Sequence, residues 1–187
     1  MKGKLFVVSG PSGSGKSTIT KIVRDKLNIP LSISATSRKS RPGEVNGVDY
    51  YFLTEEEFSK KIENNEFFEY ANVHGNYYGT LVSEINSKLD NGQDVILEID
   101  VQGAIISKNK YDDIVLIFCK TENDEVLRNR LLGRNTDSNE VIEKRLNNAK
   151  KELEYEKYYD YTIINKNLDD SVNKLIKIIK GEYNEKE

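Results

Sequence analysis

Apolar residues follow two textures along the chain. Short, mostly apolar strand-like runs at Leu5–Ser9, 95–99, 114–119 and Tyr161–Ile164 have the length and composition of strands buried on both faces. Between and after them, apolar residues recur every three or four positions, predicting helices over about 16–27, 101–109, 123–132, 139–157 and 168–181. Buried strands alternating with amphipathic helices predict an α/β fold, a parallel sheet covered by helices. Residues 34–92 break the rhythm. Short alternating pieces (Tyr50-Tyr51-Phe52, Phe67-Phe68-Glu69-Tyr70, Tyr77-Tyr78) surround one helical pattern at 55–62, punctuated by the turn pairs Pro42-Gly43, Asn46-Gly47 and Gly75-Asn76. The expected organisation is a core of residues 1–33 and 93–187 carrying a small, mostly β insertion at 34–92.

Composition narrows the partners. A chain of 187 residues suits one compact domain, and 32% charged with 37% hydrophobic residues is ordinary for a globular protein. A net charge of -3, with Lys and Arg spread along the chain, argues against nucleic acid as the main partner. The single cysteine, Cys119, sits in an apolar run and reads as a small core residue. No run has the length of a membrane span, and the first apolar run is shorter than a signal-peptide core, so the cytoplasm is the expected compartment, with a monomer or small homo-oligomer.

The chemistry begins directly after the first strand, at Gly10-Pro11-Ser12-Gly13-Ser14-Gly15-Lys16-Ser17-Thr18. Gly10, Gly15, Lys16 and Ser17 have the spacing G-x-x-x-x-G-K-S/T between a strand and a helix, the context this phosphate-binding motif requires. Glycines let successive N–H groups turn inward onto phosphate oxygens, and the following helix adds its positive N-terminal dipole. Gly10, Ser12, Gly13, Ser14, Gly15, Lys16, Ser17 and Thr18 are thus candidates to hold a nucleotide's triphosphate in a P-loop NTPase-type core. Lys16 would neutralise the terminal phosphates, and Ser17 would offer its hydroxyl to Mg2+. The motif leaves hydrolysis, transfer to an acceptor and signalling open.

Period two places Glu98 and Asp100 on one face at the carboxyl end of the second buried strand, the edge where open α/β sheets bind ligands. Asp100 is a candidate outer-sphere metal anchor, or alternatively the N-cap of the helix beginning near Val101. Over 125–150 the pattern predicts a helix stopped at Gly133, a polar turn, and a second helix capped by Asp137. Arg130 and Arg134 share a stripe, and Arg145 flanks the apolar stripe Ile142-Leu146-Ala149-Leu153. Arginines on a Gly-hinged flap suit a helical lid over phosphates.

The segment Ser34 to Phe52, with Arg38, Arg41, Gly43, Glu44, Gly47, Asp49 and Tyr50 at fixed spacing, resembles the acceptor-binding segment of guanylate kinases. The resemblance continues through Asn65-Glu66-Phe67-Phe68-Glu69, Gly75-Asn76-Tyr77-Tyr78-Gly79-Thr80, Asp100-Val101-Gln102-Gly103 and Arg130-Leu131-Leu132-Gly133-Arg134, nearly the whole chain. It implies Mg2+-dependent phosphoryl transfer from ATP to GMP, with 34–92 as the GMP-binding insertion. Guanine offers two donors on one edge that a single carboxylate accepts, and the resemblance gives that task to Glu69. It assigns Ser34 and Thr80 to the ring's acceptor side, Arg38, Arg41, Tyr50 and Tyr78 to the GMP phosphate, and Glu98 and Asp100 to the same acceptor site. Lys16, Arg41, Arg134 and Arg145 are the implied catalytic residues, and Ser17 and Asp100 the implied metal ligands. Ser37, Thr80, Asn135 and Lys166 depart from the family's commonest residues. His74 reads as structural or surface-exposed. The competing expectation is a non-catalytic relative that binds phosphorylated peptides, which typically lacks the loop lysine and lid arginines.

Overall fold

The computed structural model describes residues 1–73, 75–111, 113–133 and 139–183. Its contacts divide the chain into two compact units. Residues 1–5 and 30–95 form one; residues 6–29 and 96–187 form the other.

The chain begins with β1 (Leu5–Ser9), α1 (Lys16–Leu27), β2 (Ala35–Thr36), β3 (Tyr51–Phe52) and α2 (Glu55–Glu63). It continues with β4 (Phe67–Val73), β5 (Asn76–Leu81), α3 (Val82–Asp90), β6 (Val95–Glu98) and α4 (Val101–Lys110). Last come β7 (Ile114–Lys120), α5 (Asp124–Leu132), α6 (Asn139–Leu153), a 3₁₀ turn (Glu156–Tyr158), β8 (Tyr161–Ile164) and α7 (Leu168–Lys180).

The larger unit holds a parallel sheet in the order β6-β1-β7-β8. Its strands read as mostly apolar runs because helices cover the sheet. Phe6 and Val8 of β1, Ile117 of β7 and Ile163 of β8 pack with Ile19 and Val23 of α1 and Val172, Leu175 and Ile179 of α7. Helix α1 ends on Asn28 and α7 on Gly181, each in the left-handed conformation that closes a helix C-terminus. A second cluster, Leu127 and Leu131 of α5 with Ile142, Leu146 and Ala149 of α6, joins the two helices expected of the lid. Helix α6 stops at Leu153, and the rest of the helical pattern expected to 157 becomes the 3₁₀ turn. Among the described residues, no helix is long and apolar enough to cross a membrane.

The smaller unit carries a second sheet, β3-β2-β5-β4. Ala35, Phe58, Phe67 and Leu81 form its core, with the Phe58 and Phe67 rings stacked at 4.2 Å between centroids. Thr54 and Glu57 close the start of α2 in a reciprocal capping box. Helix α3 was not expected in a mostly β insertion. It follows β5 with no Gly or Pro to mark the change, and it buries Ile85 and Leu89 along with Glu84. Burial pushes the Glu84 carboxyl upward, but hydrogen bonds from Lys88, the Ile33 N–H and the Tyr51 hydroxyl outweigh it and hold the group below its ordinary range.

Candidate active site

In the larger unit the Gly-rich loop leaves β1 and opens α1. Gly10 has φ +139°, and a Cβ there would lie 2.0 Å from the Cys119 carbonyl oxygen of β7, so no other residue fits. Lys16 Nζ donates back across the loop to the carbonyl oxygens of Gly10 at 2.9 Å and Pro11 at 3.3 Å. The ammonium is thereby held over the loop, where a triphosphate's tail would lie. Arg145 of α6 reaches the same loop, its guanidinium donating to Ser12 Oγ at 3.4 Å. Arg134, Asp137 and His74 lie outside the described residues.

Glu98 ends β6, and its place differs from the acceptor role expected of it. Its Oε2 accepts from Ser17 Oγ at 2.6 Å, and its Oε1 accepts from Thr20 Oγ1. Glu98 therefore belongs with the loop's hydroxyls. Asp100 does not share a strand face with it, because the strand ends at Glu98. Asp100 Oδ1 accepts from the N–H groups of Gln102 and Gly103, each at 2.8 Å, which caps α4. The cap that the sequence allowed is formed, through Oδ1 alone. Burial raises the Glu152 carboxyl of α6, with Lys16 lowering it and Asp100 raising it. The Cys119 thiol is buried and pushed up to about 11, as suits a core residue.

In the smaller unit the strand register gathers the residues expected at the acceptor. Ala35 of β2 pairs with Tyr51 of β3 and with Gly79 of β5, and Thr80 of β5 pairs with Glu69 of β4. Extending the β2 pairings by one residue sets Tyr50, Ser34, Thr80 and Glu69 in one row across four neighbouring chain segments, with Tyr78 two residues along on the same face. Thr80 Oγ1 donates to Glu69 Oε1 at 2.8 Å. The Thr80 hydroxyl is thus directed at the carboxylate and not at a ring acceptor.

Arg38, expected at the acceptor's phosphate, has a partner within its own unit. Its two terminal nitrogens donate to the two oxygens of Glu44, at 3.0 and 2.8 Å, and the same carboxylate accepts from the Arg41 N–H at 2.6 Å. Those bonds hold Glu44 below the ordinary carboxylate range and raise Arg38. The guanidinium stands 5.5 Å from the Tyr50 ring centroid and 5.7 Å from that of Phe52, and Tyr50 lies edge-on to Tyr78. Glu44 therefore organises Arg38, the main chain of Arg41 and, through Arg38, the two tyrosines. It lay within the motif, but nothing in its spacing marked it as the organiser.

The guanylate kinase sequence profile matches residues 2–182. The chain belongs to the guanylate kinase family. A guanylate kinase of Fusobacterium nucleatum is 61% identical over 179 residues, covering 96% of this chain and 97% of that protein. One from Thermotoga maritima is 46% identical over 183 residues, covering 97% of this chain and 88% of its own length. Among solved structures, a guanylate kinase from Anaplasma phagocytophilum superposes with a TM-score of 0.71 at 32% identity, covering 97% of this chain and 86% of that one. In this guanylate kinase family member, Glu98 and Arg130 touch the loop directly, Glu98 at the Ser17 hydroxyl and Arg130 at the Ser14 carbonyl, contacts that nothing in their spacing marked. Asn165, whose place in the sequence resembles the family's residue beside the donor adenine, meets the Ser14 carbonyl of the loop instead.

Proposed function

We propose that this protein is a cytoplasmic enzyme that transfers the γ-phosphoryl group of ATP to GMP, giving ADP and GDP, with Mg2+ bound alongside ATP. The observation that carries the acceptor side is the row Tyr50, Ser34, Thr80 and Glu69 with its Glu69–Thr80 hydrogen bond. A carboxylate has about four lone-pair sites, so Glu69 accepts the guanine N1–H and amino donors while keeping Thr80. Adenine lacks that pair of donors on one edge. The segment 34–92 serves the acceptor, with Arg38, Arg41, Tyr50 and Tyr78 on its phosphate, and the helices of 125–150 serve as the lid.

On the donor side, Lys16 binds the β- and γ-phosphates and the loop N–H groups cradle them. The Ser17 hydroxyl, oriented by Glu98, is a hard oxygen donor of the kind Mg2+ takes. Among the described residues no three acidic, His or Cys side chains cluster as a metal cage, which suits an ion carried mainly by nucleotide phosphates. When bound, Mg2+ neutralises charge on the β- and γ-oxygens. Asp100 in this proposal acts through its cap on α4 and as a contact of the acceptor site. Arg145 and Arg134 stabilise charge spread over the transferring group. The acceptor is already an anionic phosphate oxygen, so no general base is needed, and catalysis rests on positioning and electrostatics.

The test is coupled ADP release with ATP, Mg2+ and each nucleoside monophosphate in turn. Turnover selective for GMP is expected. GMP binding without turnover would instead favour a phosphate-binding module.

A further inference from the structure

Donors converge on one carbonyl oxygen inside the Gly-rich loop. The Ser14 oxygen accepts from Asn165 Nδ2 at 2.8 Å and from Arg130 Nη1 at 3.2 Å, with the Cys119 thiol at 3.8 Å. Ser14 is fully buried and Asn165 is 5% exposed.

Asn165, just past β8, is itself fastened at every polar group. Its N–H donates to the Lys120 carbonyl at 2.7 Å, and its own carbonyl accepts from Arg130 Nη2 at 2.9 Å. Its Oδ1 faces the Ser171 hydroxyl at 3.2 Å, and that hydroxyl also reaches the Asn167 carbonyl at 2.7 Å. An amide held at both ends inside the protein is committed to its orientation. Gly15 meets it closely: φ is +92°, and a Cβ would stand 2.2 Å from Asn165 Nδ2.

The peptide joining Ser14 to Gly15 is planar, so its C=O and N–H point in opposite directions. Anchoring the Ser14 oxygen in the interior therefore aims the Gly15 N–H away from Asn165, toward the side where the loop's donors face phosphate. Given the proposed donor role of that loop, on which this rests, we infer that Asn165, seconded by Arg130, is a positioning residue that presets the Gly15 N–H for the donor's phosphates. Ser171 holds Asn165 in turn.

The discriminating ligand is inorganic tripolyphosphate, which carries a phosphate chain and no base. Asn165→Asp keeps the shape and removes the donor. By titration calorimetry with Mg2+ present, the variant is expected to bind both ATP and tripolyphosphate about 10- to 100-fold more weakly, the usual range for one lost buried partner. GMP affinity should stay within about twofold, and kcat/KM for ATP should fall with the ATP affinity. Unchanged tripolyphosphate affinity would overturn the inference, as would a loss confined to ATP, which would mark a contact with the base. An equal loss for GMP would overturn it too, since that signals general damage. If Asn165→Asp does not fold, Ser171→Ala decides: a smaller loss of the same pattern supports the inference, and unchanged tripolyphosphate binding overturns it. A parent protein that does not bind tripolyphosphate would remove the donor-loop reading itself, and this inference with it.

Discussion

Thr80 Oγ1 donates to Glu69 Oε1 at 2.8 Å, directly across the β4–β5 pair. Thr80 is 5% exposed, so the hydroxyl lies inside the protein and aims the carboxylate. Glu69→Gln keeps the shape but sets an amide where an acceptor is needed. A mismatch of this kind costs about 1–3 kcal/mol. The loss is expected in kcat/KM for GMP, with KM for ATP little changed, by steady-state kinetics with each substrate varied. Thr80→Val, which removes only the aiming hydroxyl, should give a smaller shift in the same direction. Equal losses for both nucleotides would contradict the assignment.

Glu98 orients Ser17 and Thr20, so Glu98→Gln should act on the donor side alone. Partners that orient a metal ligand typically matter by about 10- to 100-fold in metal affinity. The Mg2+ concentration for half-maximal rate should rise within that range while KM for GMP stays constant. A rise in the GMP constant would return Glu98 to the acceptor site.

The Arg38–Glu44 pair predicts a pH dependence of stability. The native Glu44 carboxyl titrates below its ordinary value, so its contribution is complete above the unfolded pKa and is lost as pH falls through the lower native one. The difference in Tm between the parent and Glu44→Gln should therefore be constant near neutrality and shrink below about pH 4.5, the ordinary carboxyl range. At pH 7 the variant should also bind GMP several-fold more weakly, because Arg38 and the Arg41 main chain lose their common partner. A Tm difference that grows toward acid would refute the pairing.

Burial pushes the Cys119 thiol of β7 up to about 11, and the residue is 1% exposed. Thiolate is the reactive form, so labelling at pH 8 should be slower than for a free thiol by more than about a hundredfold. In denaturant it should label at the ordinary rate. Fast labelling of the native protein would place Cys119 at the surface.

Local patterns determined much of this protein. The runs Leu5–Ser9 and Tyr161–Ile164 are strands with the bounds that their apolar residues drew, and α1 begins at Lys16 as the loop spacing required. Those signals are local: a strand buried on both faces must be apolar, a loop with positive φ needs glycine, and a covered helix repeats every three or four residues. Residue types at fixed spacing also sufficed to mark the family. Pairings between distant residues were decided by the tertiary structure. Glu98 meets Ser17 across 81 positions and Asn165 meets Ser14 across 151, because strands of one sheet end beside the same loop. Asp100 turned from strand residue to helix cap because β6 ends at Glu98, one residue short of its apolar run, and Arg38 pairs with Glu44 because the turn between them folds back. Spacing names the kind of group a site needs; strand ends and register determine which groups meet, and those follow from packing that no local window of the chain contains.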